Sequence, residues 1–351
     1  MATEPHIRRI ATEEAFAIPE QFEGYREFGG TTSSSPDVLF WHRVLSNSES
    51  RLPEALLDLD EQRIADMDAN GVDVQLLLLT SPGVQIFDAD TATGIAERAN
   101  DLLAEAISRH PDRYAGLAAF APQDPRRAVV EMQRATSELG LNGFVVNSHT
   151  DGHYLDEDQF QPILEAAEGL DAPIYIHPRP LPESAIGPYL EHELWAGIWG
   201  YAAETSLHAL RLIVTGIFDR FPNLTIVIGH MGEGLPYFVY RLDFMSRLLK
   251  ELGGHRNIEL TPSEYLKRNF MITTSGMNHE PAMQLCRTVL GADRIMWAID
   301  YPYQPTPGAV GWLDDADLPD DQRELIYSRN AERVFGLGSP ADALSSPATG
   351  K

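Results

Sequence analysis

Eight short apolar runs, each trailed by a longer amphipathic stretch, set the tightest limit on how this chain can fold. They are IRRIAT (7–12), VDVQLLLLT (72–80), YAGLAAFAP (114–122), GFVVNS (143–148), APIYIH (172–177), LTIVIGH (224–230), FMITTS (270–275) and RIMWAID (294–300). Several are apolar at nearly every position, the pattern of parallel strands covered on both faces. Helical periodicity fills the intervals over 54–71, 92–111, 128–140, 157–169, 201–221, 234–252, 280–290 and 320–336. Gly71, Gly140 and Pro111 supply ordinary helix stops. Successive βα units of this number predict a (β/α)8 TIM barrel. The alternative, a doubly wound open sheet, needs fewer units and a glycine turn after its first strand. EAFAIPEQF contains no glycine, and the glycines of GHMGEG (229–234) have the wrong spacing for a dinucleotide loop. The barrel is expected to occupy 1–337 as one domain, with an inserted long loop at about 17–53 and a frayed tail over 338–351.

Charge narrows the partners. A formal net charge of −25 leaves no basic surface to neutralise phosphates, which excludes nucleic acid. A small anionic substrate stays open, because a few local arginines can reverse the field inside one pocket. The single cysteine, Cys286, cannot form an internal disulfide and reads as a small buried hydrophobe. No window approaches the roughly 18 apolar residues of a membrane span, and MATEPHIRRIATEE lacks a signal-peptide core. The expectation is a cytoplasmic protein away from the membrane.

In such a barrel the chemistry gathers where strands end, at the C-terminal face. Those ends carry Glu13, Thr80, His149, His177, His230, Ser275 and Asp300. Polar residues are common wherever strands meet solvent, so each alone says little. Together, carboxylates after strands one and eight and imidazoles after strands five and six form an oxygen-and-nitrogen set suited to a divalent cation. Strand alternation sends Glu13 and Glu14 in opposite directions; with Glu13 inward, Glu14 is expected to face the helices. EHELW (191–195) and NHEPA (278–282) lack the second histidine of a zinc-protease helix, and His208 reads as a packed helix residue. Asp58, Asp60, Asp66 and Asp68 read as a solvated helix face.

ATEEAF, RIADMDANGVD, LTSPGVQ, RAND, AFAPQDP, YIHP, GHMGEGLPYFVYRLD and MWAIDYPY occur in this order from about residue 8 to about residue 336. Jointly they resemble the metal-dependent decarboxylase branch of the amidohydrolase superfamily, which includes γ-resorcylate, 2,3-dihydroxybenzoate and 5-carboxyvanillate decarboxylases. The insertion and the DYPYQ segment are most similar to the 5-carboxyvanillate members. The resemblance implies Glu13, His177 and Asp300 as metal ligands, with Asp300, His230 and Glu233 as catalytic groups. It further implies Arg51, Arg241 and Tyr303 as substrate contacts, with Thr80 placed beside them. Many amidohydrolases carry a His-x-His pair on strand one; here Glu13 and Ala15 replace both histidines, which favours Mn²⁺, with Zn²⁺ and Mg²⁺ as alternatives. No lysine follows NSHTDG to bridge a second metal.

The implied reaction is non-oxidative decarboxylation of a hydroxylated aromatic acid, 5-carboxyvanillate to vanillate being the leading case, with no organic cofactor. γ-Resorcylate or 2,3-dihydroxybenzoate decarboxylation is the near alternative. A metal-dependent lactone or amide hydrolase and a catalytically silent scaffold are the more distant ones. The branch implies a homodimer or homotetramer.

Overall fold

The computed structural model describes residues 7–29, 35–254 and 258–338. Its strands are β1 Ile10–Phe16, β2 Val74–Leu79, β3 Tyr114–Gly116, β4 Ala118–Ala119, β5 Phe144–Asn147, β6 Ile174–His177, β7 Ile226–Ile228, β8 Phe270–Thr273 and β9 Ile295–Met296. β2 to β9 each fall within one of the apolar runs, β1 starts in the first run and continues past it to Phe16, and every neighbouring pair is parallel. The third run supplies both β3 and β4, broken at Leu117, whose N–H reaches back to the Leu77 carbonyl while the next N–H goes forward to Gly143. Asn100 fills the break: its amide donates to the Ala119 carbonyl and accepts from the Ala119 N–H, both at 2.8 Å. At the seam, Thr12 N–H donates to the Trp297 carbonyl and Ala15 N–H to the Tyr301 carbonyl. These bonds join the segment just after the last strand to the first, covering the edges that those strands would otherwise leave unpaired.

The expected helices are present, with differences that have local causes. The stretch read as one helix over 54–71 is two, Leu52–Leu57 and Glu61–Asn70. Asp58 separates them by accepting the Gln62 and Arg63 N–H groups, an interaction that caps the second helix. Asp58 therefore has a structural task beyond solvation. The insertion is folded over its described part: helices Pro19–Gly29 and Pro36–Ser46 replace the expected open loop. Phe22, Tyr25 and Trp41 pack together there, and the Trp41 indole donates to the Ser81 carbonyl. A buried Asp37–Arg179 pair at 2.5 Å ties the second inserted helix to the segment just after His177. Residues 30–34 of the insertion and 339–351 of the expected tail lie outside the described residues. A contiguous apolar core runs from Ile10 to Phe335.

Candidate metal and active site

β1 carries a bulge between Ala11 and Glu14, where three steps along β1 match two along β2. A bulge re-aims side chains next to it. Glu13 points across the barrel interior, where Oε2 accepts hydrogen bonds from Tyr175 on β6 and from Thr273 Oγ1 on β8 at 2.8 Å. Oε1 is buried and has no hydrogen-bond partner. It lies 3.6 Å from His177 Nε2 and 3.9 Å from His230 Nε2, too far for hydrogen bonds. Atoms that share one cation at about 2.1–2.2 Å each lie no more than about 4.3 Å apart, and both separations fall inside that limit. His177 Nδ1 is engaged by the Pro178 carbonyl at 2.9 Å. That bond puts the proton on Nδ1 and turns the Nε2 lone pair toward Glu13.

His230 sits in a turn of unusual hand. Residues His230, Met231, Gly232, Glu233 and Gly234 all have positive φ, from 49° to 78°. Left-handed conformation costs an ordinary residue roughly 1–2 kcal/mol, so three non-glycines here store strain that the packing must offset. The glycines of GHMGEG thus serve this turn. A Cβ at Gly232 would stand 3.0 Å from Ile272 Cγ2, and one at Gly229 would stand 2.7 Å from Glu13 Oε2. The turn brings Glu233 Oε1 to 2.8 Å from His230 Nδ1. Burial works against charge on His230, but Glu233 and Glu13 outweigh it and raise the imidazole to about 10.

Asp300 follows β9 with φ 75°, another left-handed non-glycine. A Cβ on Gly276 would stand 3.5 Å from Asp300 Oδ2 and 3.4 Å from His230 Cδ2, so the two side chains border one spot. Burial, and then the nearby Glu13 carboxylate, push the Asp300 carboxyl well above its usual range, while burial pulls His177 down. A divalent cation would oppose the rise at Asp300. Among the described residues no three His, Cys, Asp or Glu side chains already form a closed cation cage. The orphaned Glu13 oxygen, the free Nε2 of His177 and the cradle at Gly229 nonetheless fit a cation with oxygen and nitrogen ligands.

These groups open into a cavity of about 1030 Å³ lined by His177, His230, Glu233, Arg241, Asp300 and Tyr303, with Phe40, Trp199 and Phe238 among its walls. Arg241 projects from the helix Leu235–Glu251 and has no side-chain partner among the described residues. Thr80 is buried behind Tyr303, their hydroxyls 2.5 Å apart. Arg51 stands apart: its side chain is 86% exposed and paired with Glu54, and it does not line the cavity.

Of the other strand-end residues, His149 is structural. His149 bonds the Pro180 carbonyl and Gly152 N–H, and burial lowers it to about 3. Cys286 is buried against the Met231 carbonyl, its thiol pushed up to about 12 by burial. His208 is packed in its helix, as expected. Glu14 is buried, and both its oxygens accept backbone N–H groups of the segment after β9. Burial raises its carboxyl to about 8, against those two donors and the charge of Arg63. Tyr175 and Thr273, which hold Glu13, were not singled out from sequence: in an apolar strand they look like packing.

Residues 45–337 match the family model described as amidohydrolase. The γ-resorcylate decarboxylase of Rhizobium radiobacter is 37% identical over 338 residues, covering 94% of this chain and 98% of the relative. The crystal structure of 5-carboxyvanillate decarboxylase from Sphingomonas paucimobilis superposes with a TM-score of 0.93 at 43% identity, covering 95% of this chain and 100% of that one. The Novosphingobium aromaticivorans 5-carboxyvanillate decarboxylase, complexed with manganese and 4-hydroxy-3-methoxy-5-nitrobenzoic acid, gives 0.92 at 44% identity over 95% and 97%. The chain belongs to the amidohydrolase family, and within it stands with the decarboxylases of hydroxylated aromatic acids.

Proposed function

We propose that this protein decarboxylates a 5-carboxyvanillate-like hydroxybenzoate without oxidation, using one Mn²⁺ held by Glu13, His177 and Asp300. The observation that carries the reading is the buried, unpartnered Glu13 Oε1 facing His177 Nε2 at 3.6 Å, beside a cavity bordered by Asp300. The likeness to manganese-bound 5-carboxyvanillate decarboxylase, stronger in identity than that to the γ-resorcylate enzymes, favours this substrate over its alternatives.

Bound there, the cation supplies Lewis-acid stabilisation of the substrate's phenolate and carboxylate oxygens. Direct loss of CO₂ from an arene would leave an aryl anion, so protonation at the carboxyl-bearing carbon must come first. Asp300, which borders the cavity, is the general acid for that step. The substrate's phenol proton, passed to Asp300 on binding, supplies what the ring receives. The ring–carboxyl bond then breaks, its electron pair restores aromaticity and CO₂ departs. His230, oriented by Glu233, holds the substrate oxygens, and Arg241, which lines the cavity and has no side-chain partner among the described residues, offers a cation for a distal carboxylate. Tyr303, fixed by Thr80, orients the ring.

Exposed Ile198, Trp199, Tyr237, Tyr240 and Leu252 support a homodimer or homotetramer, a question for sedimentation analysis. No helix of the described residues is long and apolar enough to cross a membrane. A buried, free Cys286 suits the cytoplasm. The test is to incubate manganese-loaded protein with 5-carboxyvanillate, γ-resorcylate, 2,3-dihydroxybenzoate and salicylate while following CO₂. Release from 5-carboxyvanillate is expected, abolished by Asp300→Asn with metal retained at least in part. Product formation without CO₂ would favour hydrolysis, and full activity of Asp300→Asn would remove that residue from the chemistry.

A further inference from the structure

We infer that Glu14 is a positioning residue that sets the backbone of Asp300 from beneath. The inference rests on the proposed role of Asp300. Glu14 is fully buried, and its two oxygens divide their work: Oε1 accepts Ile299 N–H at 2.9 Å and Oε2 accepts Tyr301 N–H at 3.0 Å. The clamped amides flank Asp300 on either side, and Asp300 alone of the three has a positive φ. One residue along β1, Ala15 N–H donates to the Tyr301 carbonyl at 2.7 Å, so the segment is gripped at three points by one strand.

The grip is itself supported. Arg63, also fully buried, donates to the Ala15 carbonyl at 2.7 Å and lies 4.6 Å from the centre of the Tyr301 ring. Adjacent glutamates of the ATEEAF segment therefore divide one task. Glu13 faces the cation site, and Glu14 holds in place the acid that comes from the opposite side of the barrel seam. A side chain in an unfavourable φ region keeps it only while its surroundings over-determine it, and the Glu14 clamp is the part that does so for Asp300.

Glu14→Gln keeps the volume but replaces one acceptor with an NH₂ that opposes a backbone N–H. Small misplacement of a reacting group costs on the order of a hundredfold in rate, so kcat is expected to fall by about that factor while KM changes by less than about threefold. Manganese bound per chain should be unchanged, which separates Glu14 from a ligand. Amide exchange should quicken at 299 and 301 and not across the other strands, which a general loss of stability would not do. In the unaltered protein the same two amides should exchange as slowly as those of the core strands, a measurement independent of the variant's folding. Unchanged kcat in Glu14→Gln, lost metal, or fast exchange at 299 and 301 in the unaltered protein would each overturn the inference. If no hydroxybenzoate releases CO₂, the decarboxylase reading fails while the exchange measurement still decides the clamp.

Discussion

A single methyl group tests how the cation site is built. Alanine at Gly229 would put its Cβ 2.7 Å from Glu13 Oε2, the oxygen already held by Tyr175 and Thr273. Glu13 must then move, and Gly229→Ala is expected to weaken Mn²⁺ binding about 10–100-fold by titration calorimetry, with the circular dichroism unchanged. Undiminished affinity would mean that the carboxylate's position does not govern binding. Glu13, His177 and Asp300 were legible as candidates because strand ends in a parallel barrel converge and their chemistry is scarce in apolar runs. Their supports were not. Tyr175 sits in YIH as any core aromatic would, and Gly229 shows its purpose only once Glu13 is seen folded over it. Strand alternation separated Glu13 from Glu14 but could not reveal what Glu14 holds, because its partners are backbone amides from the far end of the chain.

Among the elements, the helix Gly200–Val214 is joined to the loop after β5 through a buried polar cluster that the sequence left unmarked. Glu204 accepts from Ser148 at 3.0 Å and Tyr154 at 3.1 Å, and His208 bonds Ser148 and the Leu155 N–H. Burial lifts Glu204 to about 7, with those donors and the fields of Arg179 and Arg211 opposing. A carboxyl raised above its ordinary value binds its proton more tightly in the folded state. Its favourable contribution is therefore complete at low pH and is lost as pH rises from about 4.5 through about 7. Glu204→Gln should remove a stability loss on the order of 3 kcal/mol across that window, read from urea unfolding at pH 5 and pH 8. A wild-type profile parallel to the variant's would contradict it. Helix periods were readable wherever an apolar stripe repeated. The insertion was not, because GGTTSSSP dominates its composition while Phe22, Tyr25 and Trp41 are spread across two separate helices.

For the whole molecule, the order and direction of the strands followed from the apolar runs alone, since successive parallel strands with helical crossovers admit few arrangements. Closure between the Thr12 and Trp297 segments, and the break at Leu117, depend on backbone geometry that no run of residues spells out. The charge of −25 has a consequence at this scale. An anionic substrate meets a repulsive far field, so kcat/KM should rise as ionic strength increases from about 0.01 to 0.15 M, where screening shortens to about 8 Å. A steady fall over that range would instead point to attraction dominated by local cations such as Arg241. The account depends most on one ion gathered by side chains from distant strands. Manganese bound per chain, measured after dialysis for the unaltered protein, Glu13→Gln and His177→Ala, tests that directly. One ion per unaltered chain, lost from both variants, is the expected result; no bound ion in the unaltered protein, or full retention in either variant, would contradict it.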